Sequence, residues 1–399
     1  MSTPMSTRRR FLHDAALTAG ASALAAGASA LPPLARGISA TPVSRTKAPL
    51  RILVLGGTGF LGPHLIHVAR ARGHTLSMLN RGRREPAMFG EDFGGVESIE
   101  GDRAQPDGLA GLRGRTWDVV VETSGYRVEW TRDAVAALRG SVGRWLYVSS
   151  TGVFWPYRTT HILEDGPVPL VDTPPQDPPS YGVMKALSEA HVREGFGRNA
   201  LVVRPGYIVG PGDLSDRWTY WPVRVARGGE IPVPGKRSDP VQYVDVRDLS
   251  GWMIRLLEED TTGTFTATGP ARHQTMEEFV YGLGATTGSP LSWTWLDDYD
   301  FLKGYPLREL EGGGAQGLLE SIPWVLPEGD ELGHMQIDSR KALAAGLEPR
   351  PLAETATDTA RWRLSDAAPA TLREQPRYVL TPEQEASLLT AWKERLSLP

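Results

Sequence analysis

Arg51-Ile-Leu-Val-Leu55 is an apolar run of strand length, and it leads straight into Gly56-Gly57-Thr58-Gly59-Phe60-Leu61-Gly62. A helical pattern follows, with Leu61, Leu65, Ile66 and Val68 on one side and an end near Gly73. Strand, glycine-rich turn and helix in immediate succession leave few ways to fold. The spacing is Gly-x-x-Gly-x-x-Gly at Gly56, Gly59 and Gly62. Gly56 permits the tight turn. Gly59 lets backbone N–H groups approach a pyrophosphate at the helix N-terminus, and Gly62 lets helix and strand pack closely. Thr58, Phe60 and Leu61 lie in the same turn and join the candidate nucleotide contacts.

The same rhythm continues downstream. Thr75 to Leu79 reads as the second strand, and its end should meet an adenosine ribose. A free 2′-hydroxyl there wants Asp or Glu; this chain offers Asn80-Arg81-Gly82-Arg83-Arg84, and the charge argument favours NADP over NAD. Val96 to Glu100 ends at Gly101-Asp102-Arg103, and Asp118 to Glu122 at Thr123-Ser124-Gly125. Arg144 to Val148 ends at Ser149-Ser150-Thr151, with helical stretches such as Thr131 to Arg139 between strands. Alternation of this kind gives an α/β fold with a doubly wound parallel sheet, whose polar strand ends line one crevice.

Tyr181-Gly182-Val183-Met184-Lys185 opens a helix running to about Glu194. A spacing of four puts both side chains on one face. A free tyrosine is a poor base at neutral pH, and an ammonium one turn away stabilises its phenolate. Of 43 Lys and Arg residues only six are lysines, which makes one at this spacing informative.

Together, Gly56-x-x-Gly59-x-x-Gly62, Asp102, the Ser150 strand end and Tyr181-x-x-x-Lys185 resemble the extended short-chain dehydrogenases/reductases. More narrowly they resemble the NAD-dependent epimerase/dehydratase family. Arg204-Pro205-Gly206-Tyr207-Ile208-Val209-Gly210-Pro211 and Val241-Gln-Tyr-Val-Asp245-Val-Arg-Asp-Leu249 continue the likeness, which covers roughly residues 50–365. The resemblance implies a Rossmann-type domain and hydride transfer between a secondary alcohol or ketone and a nicotinamide. It implies Tyr181 as general acid/base, with Lys185 lowering its pKa and bonding the nicotinamide ribose. It implies Ser150 as the group polarising the substrate oxygen, with Ser149 and Thr151 as neighbours that could share this role. Asp102 would meet the adenine edge, and Thr123, Ser124 and Gly125 the cofactor ribose and nicotinamide. Arg103 and Pro205, beside these strand ends, complete the candidate cofactor set.

The chain departs from the pattern for nucleotide-diphosphate sugars, which has an Arg-Asp pair just before the Val-Asp segment. Here Asp239 and Pro240 stand at those positions, with Arg237 close by as a substitute. An acid facing a diphosphate is repulsive. The pocket candidates are aromatic instead: Tyr126, Phe154, Trp155, Tyr207, Trp218 and Trp221, with Tyr220 among them. Flat rings suit sugar faces and alicyclic alcohols. His64 and His67 lie one turn apart with no third ligand in view, so no metal is expected and both are read as helix-surface residues.

The N-terminus reads as an address. Thr7-Arg8-Arg9-Arg10-Phe11-Leu12, the Ala-rich stretch to Ala30 and Ala28-Ser29-Ala30 resemble a twin-arginine export signal over residues 1–30. The twin-arginine translocase is then a partner and the destination is periplasmic or secreted. Residues 31–49 read as a linker, 50–204 as the nucleotide-binding domain, 205–365 as a smaller mixed α/β substrate lobe with segments returning to the first, and 366–399 as a tail with a C-terminal helix. Residues 295–333, with Gly312-Gly313-Gly314, read as a flexible loop over the pocket. Net charge of −4 argues against nucleic acid as partner, no apolar run is long enough for a firm membrane span, and zero cysteines exclude disulfides and thiolate sites. A small-molecule substrate is the expected partner, and a homodimer is left open. The leading reading is an exported NAD(P)-dependent enzyme for a sugar-like or alicyclic secondary alcohol, holding its cofactor tightly. The alternative is a non-catalytic ligand- or RNA-binding protein, since plastid members of related families bind RNA on this fold.

Overall fold

The computed structural model describes residues 48–86, 88–305, 322–374 and 380–397. The segment read as an export signal, most of the stretch read as a linker, and Gly312-Gly313-Gly314 lie outside them. Seven strands form the main sheet: β1 (Arg51–Leu55), β2 (Thr75–Asn80), β3 (Glu97–Glu100), β4 (Trp117–Glu122), β5 (Val142–Val148), β6 (Ala200–Pro205) and β10 (Gly263–Ala267). They run in the order β10-β6-β5-β4-β1-β2-β3, every pair parallel. Both faces are covered, which is why β1, β4 and β5 are near-continuous apolar runs rather than alternating ones. Helices α1 (Leu61–Ala71) and α5 (Val246–Glu258) cover one face, α2 (Val128–Leu138) and α3 (Tyr181–Phe196) the other. Winding reverses between β1 and β4, so a crevice opens there at the carboxyl ends of the strands.

The smaller layer holds β7 (Ile208–Val209), β9 (Pro240–Asp245) and β11 (Gly269–Thr275) in one sheet, and β8 (Gly229–Pro234) with β12 (Leu291–Leu296) in another. Helices α4 (Tyr220–Arg227), α6 (Met276–Gly284), α9 (Leu352–Leu364) and α11 (Pro382–Ser397) pack around them. Short helices α7 (Tyr299–Gly304), α8 (Arg340–Ala344) and α10 (Ala370–Glu374) complete the described fold. The loop expected from residue 295 is therefore regular at first: Trp295 and Leu296 end β12, and α7 follows, capped by Asp298. No helix of the described residues is long and apolar enough to cross a membrane.

Residues 330–338 form a strap along residues 157–162. Tyr157 N–H donates to Asp330 O (2.7 Å), Gly333 N–H to Tyr157 O (2.7 Å), His161 N–H to Gln336 O (2.7 Å) and Asp338 N–H to Ile162 O (3.0 Å). A Cβ on Gly333 would collide with the Thr159 carbonyl, so only glycine fits that crossing.

Only one of the paired histidines is a surface residue. His67 reaches Asp92 (2.7 Å), but His64 is buried beside Phe60 and Phe89, because its face of α1 turns inward, and its Nε2 donates to the Pro211 carbonyl (2.9 Å). Burial pushes the His64 pKa down to about 4. Between that value and the ordinary ~6.5 the unfolded chain binds a proton that the folded chain does not. Stability is thus full above ~6.5 and is lost as the pH falls toward 4, by up to roughly 3 kcal/mol. Urea titrations across this range should show the slope, and His64→Gln should flatten it; an equal slope in the variant would assign the acid sensitivity elsewhere. Among the described residues no group of three His, Asp or Glu side chains is placed to hold a metal ion.

Candidate functional site

Three cavities follow one another along the crevice. The first, about 410 Å³, is lined by Gly56, Thr58, Gly59, Asn80, Arg81, Asp102, Arg103, Thr123, Ser124 and Tyr126, among others. The second, about 450 Å³, shares Gly59, Thr123 and Tyr126 with it and adds Phe60, Leu61, Gly62, Ser150, Tyr181, Lys185 and Pro205. The third, about 230 Å³, shares Ser150, Tyr181, Tyr207 and Arg217 with the second. The strand ends therefore form one continuous trough with a small chamber at its end.

The glycine turn is built for close approach. Gly56 and Gly57 have φ of 108° and 103°, and a Cβ on Gly56 would sit 2.7 Å from Ser124 Oγ. A Cβ on Gly62 would collide with the Gly57 carbonyl, so the helix closes on its own turn. Gly59 has nothing within 4 Å on its Cβ side. It leaves the trough open at the N-terminus of α1, where backbone N–H groups favour an anion. Thr123 and Ser124 hydroxyls donate to Leu55 O (3.3 and 2.8 Å), joining the ends of β4 and β1.

At the end of β2, Asn80 Oδ1 accepts from Gly82 N–H (2.8 Å) and shapes a turn carrying exposed Arg81 and Arg84. Among the described residues neither arginine has an ion-pair partner, while Arg83 lies 3.7 Å from Asp102. Arg103 points inward: it donates to Glu122 (2.6 Å) and to Ser124 O and Oγ (2.5 and 2.8 Å), closing the crevice floor. Gly125 corrects the sequence reading. It is buried, its backbone against the Tyr147 ring, and it lines none of the three cavities.

The chemical residues converge where trough meets chamber. Ser149 and Ser150 point to opposite sides, as successive residues of an extended strand end do. Ser149 Oγ donates to buried Glu189 (2.5 Å), whereas Ser150 opens onto both cavities and its Oγ accepts from Gly152 N–H (3.0 Å). Thr151 is buried at 4% exposure. Glu189 also takes both arms of Arg204 (2.8 and 2.7 Å) and one of Arg193 (2.9 Å). Burial alone would push the Glu189 carboxyl up; the arginines and Ser149 override it and hold it below the usual range. This ion cluster fixes α3 to the ends of β5 and β6. Ser180 caps α3, its Oγ accepting from Val183 N–H (3.5 Å), and Gly182 lies directly on the Gly152 carbonyl, so Tyr181 is set beside Ser150.

Lys185 lines the trough behind Tyr181. It is 3% exposed, donates to Val148 O (3.1 Å) and lies 5.8 Å from the Tyr181 ring centroid. Burial lowers its pKa to about 8, against the pull of Glu122 and Glu189. The sequence reading has Lys185 drawing the Tyr181 pKa down. Burial in the cleft raises the Tyr181 pKa above its ordinary value, and the largest opposing influence is a hydrogen bond with Ser150.

The aromatic expectations divide. Tyr207 lines the chamber. Tyr126 lies along the trough, 5.5 Å from Lys185 Nζ, and does not reach the chamber. Trp218, in the turn before α4, and Trp221, on α4, are fully buried against Phe279 of α6. Tyr220 is buried and donates to Glu385 (2.9 Å). Phe154 is buried beneath the Arg204 guanidinium (4.9 Å), and Trp155, 44% exposed, lines a separate surface cavity with Val171. Asp239 is no anchor for a diphosphate: it is buried and accepts from Tyr299 (2.6 Å) and Trp324 (2.8 Å). Arg237 pairs with Glu277 (2.6 Å) at the surface. The residues that do line the chamber, Tyr157, Arg217, Gln242 and His334, went unnoticed in the sequence. His334 stacks on Tyr157 (4.1 Å) and its Nδ1 meets Glu331 (2.7 Å), while Gln242 clamps Ile337 through both backbone groups (2.9 Å each).

Residues 52–266 match the NAD dependent epimerase/dehydratase family, more than half of the chain. The chain belongs to this family. Among its relatives is Epimerase family protein SDR39U1 of Bos taurus, 26% identical over 255 residues that cover 60% of this chain and 82% of that protein. Another is the chloroplast stem-loop binding protein of 41 kDa b of Arabidopsis thaliana, 27% identical over 52% of this chain and 55% of that protein. The UDP-glucuronic acid 4-epimerase of Bacillus cereus, solved with NAD, superposes with a TM-score of 0.56 over 80% of this chain and 99% of that one, at 15% identity. That likeness speaks for the fold, as does the seven-stranded sheet itself.

Proposed function

We propose that this family member is an exported NAD(P)-dependent epimerase or oxidoreductase acting on a secondary alcohol or ketone of a small sugar-like or alicyclic substrate. The observation that carries the reading is the shared wall: Ser150 and Tyr181 line both the trough and the chamber, and Lys185 lies just behind them. The open side of Gly59 and the polar strand ends fit a dinucleotide, with the glycine turn for the pyrophosphate and Asn80, Arg81 and Asp102 toward the adenosine end. Bound there, a nicotinamide supplies the hydride chemistry. Tyr181 moves the hydroxyl proton, Ser150 orients the substrate oxygen, and Lys185 fixes the cleft side of the ribose. The free guanidiniums of Arg81 and Arg84 favour a 2′-phosphate.

Denaturing the purified protein and identifying any released nucleotide and its redox state tests this reading. A tightly held NADP(H) is expected, and Arg81→Ala with Arg84→Ala should weaken NADP by about 10-fold while sparing NAD. Protein that carries no nucleotide and works only with added NADP would refute the tightly held, redox-neutral version, which export motivates because a dissociated cofactor outside the cytoplasm has no pool to recharge it. Fractionation tests the export itself. The Arabidopsis relative's name favours a second reading, RNA binding on the same fold. Stem-loop RNA binding that survives Tyr181→Phe, with no hydride transfer to any substrate, would select it.

A further inference from the structure

The chamber carries one permanent cation. Arg217 lines both the chamber and the trough, with its guanidinium carbon 5.4 Å from the Tyr207 ring centroid. Its Nε donates to Ser215 Oγ (3.3 Å), and among the described residues its two terminal nitrogens meet no acceptor. Asp213, which lines the trough rather than the chamber, accepts from Ser215 N–H (2.8 Å) and Oγ (3.0 Å), and burial raises its pKa, which favours its neutral form. No Asp or Glu lines the chamber. A planar guanidinium facing an acid-free cavity is matched by a planar anion, which it can hold with two parallel hydrogen bonds. The volume limits what else enters. About 230 Å³ is less than the roughly 300–1,000 Å³ of sites for drug-sized ligands, so the chamber itself takes a small molecule or the reacting part of one. Tyr157, Tyr207 and His334 supply flat walls for a ring or carbon skeleton.

We propose that the substrate is a small hydroxy acid whose carboxylate is gripped by Arg217 while its reacting hydroxyl meets Ser150 and Tyr181. This deepens the functional reading above and rests on it for the role of those two residues. Arg217 lies near enough to Tyr181 for its charge to act on the phenol, which keeps anchor and reacting centre within one small molecule's reach. A single arginine fork suits a carboxylate monoanion better than a phosphate dianion, which would keep half its charge uncompensated.

The test pairs sugar-derived and alicyclic hydroxy acids with their methyl esters and with the corresponding sugar phosphates. Binding to the full-length protein is read by calorimetry, so hydride transfer is not needed for the result. The best acid is expected to bind about 10–100-fold more tightly than its ester. Arg217→Gln, checked by its melting curve for intact folding, should bring that ratio close to one, and Arg217→Lys should recover only part of it. Equal binding of acid and ester throughout the panel, tighter binding of a phosphate, or an acid preference that survives Arg217→Gln each overturns the proposal. Tight acid binding without hydride transfer would refute the enzymatic reading alone and support the anchor.

Discussion

Tyr181→Phe is expected to slow hydride transfer by about 10²–10⁴-fold while leaving nucleotide retention intact. The substitution removes one oxygen from a ring that opens a capped helix, so the scaffold has no reason to move. The pH profile adds a sign. Desolvation holds the Tyr181 hydroxyl above its ordinary range, so it is protonated at neutral pH. Reduction of a ketone uses that proton and should be flat through pH 7. Oxidation of an alcohol needs the phenolate and should speed up as pH rises toward the tyrosine's pKa. Lys185 titrates near 8, and losing its charge adds a second inflection there. A Phe variant with undiminished transfer would remove the tyrosine from the chemistry.

The largest effect on stability is expected at the Glu189 cluster. Glu189 is fully buried and Arg204 is 2% exposed. Removing one partner leaves an uncompensated charge in the interior, which costs roughly 3–5 kcal/mol. Glu189→Ala should lower the denaturation midpoint accordingly and also reduce turnover, since the same cluster holds α3 and therefore Tyr181. Replacing Glu189 and Arg204 together by leucine should recover much of the stability, because an apolar pair of similar volume carries no desolvation penalty. Chemical denaturation of the two variants beside the unaltered protein measures this. A Glu189→Ala cost below about 1 kcal/mol would mean that water or rearrangement relieves the charge.

Legibility in the sequence followed chain distance. The glycine turn and the Tyr181–Lys185 helix are local patterns, and the parallel sheet follows from strands and helices that alternate along the chain. Each could be read from consecutive residues. The chamber could not. Its lining joins Ser150, Arg217 and His334 from segments separated by more than a hundred residues in part, and no local spacing announces such a meeting. The tryptophans misled for a different reason. An aromatic side chain serves equally as pocket wall or core filler, and only the packing of α4 and the turn before it on α6 decides that Trp218 and Trp221 are core. Helical spacing places Lys185 on the face of Tyr181, but only the fold shows that its ammonium also meets a strand-end carbonyl.

The strap over the chamber is held by main-chain bonds, with Gly333 as its one position that tolerates no side chain. Such a roof is indifferent to most of the residues it carries. His334 and Met335 line the chamber, yet neither supplies the backbone bonds that fasten the strap to residues 157–162. Selection for a new substrate can therefore rewrite these positions while leaving the nucleotide trough and the ion cluster untouched.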